Sequence, residues 1–110
     1  MKSLKVSPAV ADDLQQAYDY FNQGGMAAAE RFLERYEQLR DLIIRHPEMT
    51  RMRATGWRQL AIPRSSYAIF YRETAEFWLL AGVLSTVRDP DLIQAQLLIR
   101  EIGEEGLAVQ

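Results

Sequence analysis

Cysteine is absent from this chain of 110 residues, which excludes disulfide bonds and metal sites built on thiolates. The chain has one histidine, His46, and no clustered histidines and carboxylates at metal-ligand spacing. Ser/His/Asp sets, nucleophile elbows and glycine-rich phosphate loops are also missing. The sequence therefore predicts no metal and no cofactor. His46 precedes Pro47 and is interpreted as the end of a helix. A cation at that position would interact favourably with the helix dipole.

Long apolar runs are also lacking. The longest, Phe77 to Leu84, is too short to span a membrane, which takes about 20 residues. Residues 1–6 carry no long apolar stretch, so we expect no signal peptide. With the absence of cysteine, these features predict a cytoplasmic protein without membrane contact, folded as a single domain over residues 1–110.

Charge is unevenly distributed along the chain. The net charge is only −2, which argues against bulk binding of nucleic acid. Residues 45–72, however, contain six arginines and one acid, Glu48, for a local charge of +5. Residues 89–110 contain five acids against Arg100, a local charge of −4. The middle of the chain could therefore form a local basic surface, although each arginine could equally be a solvated residue.

Two helices are predicted in the first half of the chain. Ser7-Pro8 is typical of a helix start. Asp12 and Asp13 lie near the first turn, where acidic side chains interact favourably with the helix dipole. Gly24-Gly25 ends this helix, and a second is predicted over 26–45, which makes an antiparallel hairpin. The residues expected on the buried face of the hairpin are Val10, Leu14, Ala17, Phe21, Ala29, Phe32, Leu33, Tyr36, Leu39 and Ile43.

Four strands are predicted around this hairpin. One covers residues 2–6, and three more, Trp57–Ile62, Tyr67–Arg72 and Phe77–Val87, should pair as an antiparallel meander because short turns join them. The last strand is apolar on both faces, so it requires cover on both. The hairpin covers one face, and the C-terminal segment or a partner must cover the other. The expected faces of this strand are Leu79, Ala81 and Val83 on one side and Trp78, Leu80 and Leu84 on the other.

A third helix is predicted over about 91–103, which makes the fold class α+β. Asp89 or Asp91 would cap its start, and Gly103 or Gly106 would end it. Its apolar stripe is expected at Leu92, Ala95, Ile99 and Ile102, with Leu98 flanking. In the core, Phe32, Leu39, Phe70 and Leu80 are expected between the hairpin and the sheet.

Arginine and tyrosine are the only side chains left that could act on a phosphodiester. Arginine can hold phosphates and stabilise developing charge, and tyrosine can stack on a base or transfer a proton. Packing of an amphipathic sheet is the simpler explanation for Tyr67 and Tyr71. If the chain is a nuclease, its catalytic set must come from Arg51, Arg53, Arg58, Tyr67, Tyr71, Arg72 and Arg88.

An ordered series of short segments resembles the RelE/ParE superfamily of bacterial toxins, over roughly residues 3–90. The series comprises Ser7-Pro8-Ala9, His46-Pro47, Gly56-Trp57-Arg58-Gln59-Leu60, Tyr67-Ala68-Ile69-Phe70-Tyr71-Arg72 and Arg88-Asp89-Pro90. The resemblance implies a helical hairpin packed on an antiparallel sheet, with the first strand beside the last. It also implies the toxin of a type II toxin–antitoxin system, neutralised by a cognate antitoxin protein.

The target of such a toxin is open at this point. ParE-like members poison DNA gyrase, and RelE-like members cleave mRNA on the ribosome. The Tyr67–Arg72 strand and the Arg88-Asp89-Pro90 ending look more ParE-like, and the lysine-rich loop of RelE-like nucleases is absent, because lysine occurs only at positions 2 and 5. Arg51 and Arg53 keep mRNA cleavage open, and a module that only binds its antitoxin is a third alternative. For a gyrase-directed toxin, the predicted target-binding residues are Trp57, Arg58 and Arg88, because interface hot spots favour Trp and Arg.

Overall fold

The computed structural model describes the backbone of residues 2–109 and the side chains of residues 2–101. It confirms the α+β class and the predicted order of strand, two helices, three strands and helix. The elements are β1 (Leu4–Val6), α1 (Ala9–Asn22), α2 (Met26–Arg45), β2 (Arg58–Ala61), β3 (Tyr67–Glu73), β4 (Trp78–Ser85) and α3 (Pro90–Val109).

The four strands form one mixed sheet in the order β1-β4-β3-β2. Strands β2, β3 and β4 are the expected antiparallel meander, and β1 lies parallel to β4, so the first strand is beside the last as the resemblance implies. Strand β1 is short and pairs only with Trp78–Leu80. Among residues 2–109, no strand pairs with 81–85 of β4 on that side.

The α1–α2 hairpin packs on one face of the sheet. Gly25 makes the turn possible, because it adopts φ 110°, a conformation that side chains disfavour. Phe32 is fully buried and stacks on Phe21 with ring centroids 4.8 Å apart. Tyr67 of β3 meets the edge of Phe32 at 5.4 Å. Most residues predicted for this face are buried, and Leu14, Phe21, Leu33 and Leu39 are partly buried at its border.

A bulge in β4 corrects the predicted faces of that strand. Phe70 pairs with Gly82 and Tyr71 pairs with Leu80, so Ala81 is an extra residue in β4. The alternation of faces shifts at this point. Val83 therefore joins Trp78 and Leu80 under the hairpin, and Leu84 joins Leu79 and Ala81 on the opposite face.

Helix α3 covers the opposite face, so the C-terminal segment supplies the cover that β4 requires. Ile93 and Leu97 pack there against Phe70, Leu79 and Leu84. Phe70 is buried as predicted, but under α3 and not under the hairpin, because its neighbours Ile69 and Tyr71 take the hairpin face.

Gly82 allows α3 to approach β4 closely. A Cβ atom at this position would lie 2.9 Å from Nη1 of Arg100 and 3.3 Å from Cδ2 of Leu97. A side chain there would displace the Arg100 guanidinium and crowd Leu97.

The predicted stripe of α3 is on its solvent side. Leu92, Leu98 and Ile99 are 63%, 55% and 71% exposed, whereas Ile93 and Leu97 are buried, and the side chain of Ile102 lies outside the described residues. Asp89 caps the helix through a 2.9 Å bond from the Asp91 amide to its carboxylate. The helix extends to Val109, past both glycines predicted to end it.

Candidate functional site

Three of the predicted site residues lie on the hairpin face: Arg58, Tyr67 and Tyr71. Two of them, Arg58 and Tyr71, connect the 46–57 loop to the sheet. The Tyr71 hydroxyl donates to the Pro47 carbonyl at 2.9 Å and shares a 2.8 Å hydrogen bond with the Thr50 hydroxyl. Arg58 donates to the Thr50 carbonyl, and its guanidinium lies 5.5 Å from the ring centroid of Trp78. These bonds hold the loop in place, so both side chains have a structural role.

The chemistry available to Tyr71 is limited by its environment. Its side chain is fully buried, so a bound phosphodiester could not reach its hydroxyl. Burial raises the pKa of Tyr71, and the hydrogen bond with Thr50 and the charge of Arg58 offset this only in part. The phenol is therefore protonated at neutral pH and is a poor general base.

Tyr67 belongs to the aromatic core at the other end of the sheet. Its ring lies 6.0 Å from Phe21 and 5.4 Å from Phe32. Burial raises the pKa of Tyr67, and the nearby positive charge of Arg88 acts in the opposite direction. Arg88 itself donates to the Gln96 side chain of α3 at 3.2 Å and is partly exposed.

Trp57 and Arg72 lie on the α3 face. The Arg72 guanidinium is 5.4 Å from the ring centroid of Trp57 and forms a 3.1 Å ion pair with Glu101 of α3. Trp57 is only 4% exposed. Trp57 packs in the same cluster as Ile93 and Leu97 of α3, with the Arg72 guanidinium over its ring, so a target would have to displace these groups to contact it.

Arg51 and Arg53 are the candidates with exposed side chains in the 46–57 loop. The Arg53 amide donates to the Trp57 carbonyl at 2.9 Å, which fixes its backbone. Arg53 also lines a groove of about 250 Å³ with Gln59, Phe70 and Ile93. Arg53 therefore borders a groove between the sheet and α3.

The predicted catalytic residues are divided between the two faces of the sheet. Arg58, Tyr67 and Tyr71 are associated with the hairpin face, whereas Arg72 pairs with α3 and Arg53 lies at a groove beside it. An anionic transition state needs several donors within about 3 Å of one atom. The arrangement instead offers separate arginines suited to binding.

Sequence reasoning missed the ion pair between Asp13 and Arg100. The Asp13 carboxylate accepts two bonds from Arg100, at 2.6 and 2.9 Å, and one from the Val83 amide at 3.0 Å. Arg100 also donates to the Ala81 carbonyl at 3.0 Å. The pair thus closes the edge of β4 that β1 leaves open. Asp13 is 5% exposed and lies on the buried side of α1, whereas Asp12 is the acid in the first turn of this helix. The spacing of Asp13 from Val10 and Ala17 could have placed it on the buried face.

His46 ends α2 as interpreted, because its amide donates to the Leu42 carbonyl at 2.8 Å, and its side chain is exposed. Within the described residues, no group of three or more His, Cys, Asp or Glu side chains could hold a metal ion. In that same part of the chain, no helix combines the length and apolar character that crossing a membrane requires.

Comparison with known proteins identifies what this domain resembles. The model of the family described as "ParE toxin of type II toxin-antitoxin system, parDE" matches residues 4–90. The matched region covers β1 to β4 and ends where α3 begins. No curated protein matches the chain.

A solved structure also shares the fold. It is a chain from the "Chromosomal ParDE TA system from P. aeruginosa", with a TM-score of 0.65 and 20% sequence identity. The similarity covers 94% of that chain but 76% of the present one. At this identity the likeness concerns the fold alone.

Proposed function

Because this chain belongs to the ParE toxin family of type II toxin–antitoxin systems, we propose that it poisons DNA gyrase and is neutralised by a cognate antitoxin. The match over residues 4–90 supports the proposal, since it includes the whole sheet and the helical hairpin. The proposal places the protein in the cytoplasm, because it must meet its target and its antitoxin there.

The observation that carries the gyrase proposal is the separation of the candidate nuclease residues. Tyr71 and Arg58 hold the 46–57 loop, and Arg72 is paired with Glu101. Side chains already engaged on two faces of a sheet are poorly suited to stabilising one developing charge. Arg88, in contrast, is partly exposed in the loop after β4, and arginine is a frequent hot-spot residue of protein interfaces. Poisoning by binding therefore accounts for these positions better than cleavage does.

Cleavage of ribosome-bound mRNA is the second candidate, and one observation favours it. Arg51 and Arg53 have exposed side chains on a loop that Tyr71 and Arg58 keep in place. A fixed loop can position arginines against a phosphate backbone. A nuclease of this kind would have to cleave RNA without contact to Tyr71, because Tyr71 is buried.

The proposal of an antitoxin rests on the family. An uncovered apolar face of β4 would have been a separate reason to expect a partner, but α3 covers that face in the chain itself. An antitoxin must therefore either bind elsewhere on the domain or bind over α3.

Induction of the chain with and without the adjacent gene tests the proposal. We expect growth arrest and gyrase-trapped DNA breaks from the chain alone, and recovery on co-expression. The variant carrying Arg51→Ala and Arg53→Ala should still trap gyrase on DNA. Arg45→Ala is a matched control, because Arg45 is also exposed and lies at the end of α2.

The second candidate predicts a different outcome. Site-specific cuts would appear in ribosome-bound mRNA, and Arg53→Ala would lower the cleavage rate by about a hundredfold to a thousandfold. That result would replace gyrase with the ribosome as the target. Normal growth with abundant folded protein would reject both forms of toxicity.

A further inference from the structure

Two connections of the chain are bonded together at one end of the sheet. The turn between β2 and β3 contains Ser66, whose carbonyl accepts bonds from the amide and the hydroxyl of Thr86 at 2.7 and 2.8 Å. The hydroxyls of Ser66 and Ser85 share a further hydrogen bond of 2.9 Å. The β2–β3 turn and the loop after β4 therefore form one rigid platform.

Arg64 sits at the tip of this platform in a strained conformation. Its φ is +61°, which favours glycine and costs about 1 kcal/mol or more for other residues. Ser65 holds the turn, since its hydroxyl donates to the Ile62 carbonyl at 2.8 Å and accepts from the Tyr67 amide at 3.1 Å. Arg64 is exposed. The fold thus holds a charged side chain at the surface at a position that glycine would occupy with less strain.

Two exposed apolar or aromatic side chains are connected to this platform. Val87 is 82% exposed in the loop bonded to the turn. Tyr20 is 60% exposed, and its ring centroid lies 5.1 Å from that of Phe21. The Phe21 ring in turn contacts the ring of Tyr67. Tyr67 pairs with Ser85 of β4, and the Ser85 carbonyl accepts a 3.3 Å bond from the Arg88 amide, so Arg88 follows the strand end beside this tyrosine.

We propose that Tyr20, Arg64, Val87 and Arg88, here called the end patch, form the surface through which the chain grips its protein target. The inference rests on the proposed function, because it assigns a contact surface to the gyrase-poisoning toxin. The complementary surface would carry carboxylates beside apolar side chains.

The composition of the patch favours a protein over a nucleic acid. Contacts to a phosphate backbone use charge and hydrogen bonds, and gain nothing from Val87. Tyrosine and arginine around an apolar group are typical of interface hot spots. A rigid platform also limits the conformational entropy that is lost on binding.

Arg64→Gly separates this role from a structural one. Glycine relieves the positive φ, so the unfolding midpoint should stay the same or rise. Affinity for purified DNA gyrase should nevertheless fall by about thirtyfold or more, as expected for a hot-spot arginine. Val87→Glu provides a second variant, since this exposed position tolerates a polar side chain and the added carboxylate should repel an acidic partner. Arg45→Gln is the control, because Arg45 lies at the far end of the 20-residue helix α2.

The measurements are gyrase affinity, gyrase-trapped breaks in plasmid DNA, affinity for the antitoxin from the adjacent gene, and the unfolding midpoint. Loss of gyrase binding in both patch variants, with antitoxin affinity and midpoint retained, supports the end patch. Wild-type gyrase affinity in both variants overturns the patch but leaves the proposed function standing. Loss of antitoxin binding alone also overturns it, because the patch would then belong to the antitoxin. Absence of gyrase binding by the unaltered chain rejects the proposed function and the patch together.

Discussion

The face of the sheet beneath the helical hairpin is closed by aromatic and aliphatic packing, whereas the face beneath α3 combines a smaller apolar cluster with ion pairs. Phe21, Phe32 and Tyr67 interlock on the first face. On the second, Ile93 and Leu97 pack beside the Arg72–Glu101 pair, and Arg100 reaches Asp13 at the edge of β4. The hairpin face lies within the matched family region, and α3 lies beyond it. A helix appended to a complete domain is thus positioned by a few directional contacts.

This difference matters because apolar packing and ion pairs contribute differently. Burial of apolar area supplies most of the favourable free energy of folding and tolerates small shifts. A bidentate pair such as Arg100–Asp13 adds less net stability but requires one geometry. We therefore expect the hairpin face to dominate stability and the α3 contacts to determine where α3 sits.

The largest expected effect is on the hairpin face. Phe32→Ala should lower the free energy of unfolding by about 4 kcal/mol, since it empties a fully buried aromatic site. Leu97→Ala on the α3 face should cost about 2 kcal/mol, the low end for such a change, because α3 is exposed on its other side and can settle inward. Urea denaturation of both variants measures the difference. An equal or greater loss from Leu97→Ala would break the comparison between the faces.

An intermediate effect is expected at the edge of β4. Asp13→Asn should cost about 2 kcal/mol, because it removes the charge that Arg100 pairs with but keeps an oxygen for the Val83 amide. Asp13→Ala should cost about 1 kcal/mol more, because the Val83 amide then loses its acceptor. Asp12→Asn is the matched control, since Asp12 is exposed in the same turn.

Denaturation midpoints of the three variants give the answer. Equal losses for Asp13→Asn and Asp13→Ala would show that the Val83 bond adds nothing. A control as damaging as either would show that the effect comes from the helix dipole.

Most of the fold could be predicted from local patterns. The bounds of α2 follow from Gly25 and His46, and the meander follows from short turns between apolar runs. The bulge at Ala81 could not be predicted, because alternation continues through it in the sequence and the shift arises only when β3 pairs with β4. The faces assigned to Val83 and Leu84 were wrong for that reason.

The candidate site was harder to predict than the fold. Residue type identified arginine and tyrosine as candidates, but their partners depend on residues distant in sequence, such as Thr50 for Tyr71 and Glu101 for Arg72. Residue type also favours Trp57 as an interface anchor, but its packing against Ile93 and Leu97 of α3 is not visible in the sequence. The role of Arg64 is visible only in its backbone conformation, which no pattern of residue types reveals.

The smallest expected effect tests which side of α3 faces the sheet. The sequence pattern predicts a stripe that includes Ile99, whereas the structure leaves Leu98 and Ile99 exposed and buries Leu97. Exposed positions usually tolerate substitution within about 0.5 kcal/mol. Leu98→Gln and Ile99→Gln should therefore each leave the unfolding midpoint almost unchanged, in contrast to Leu97→Ala. If Ile99→Gln instead cost about 2 kcal/mol, the predicted stripe would be the buried face, and the contacts of Leu97 and Arg100 with β4 would be wrong.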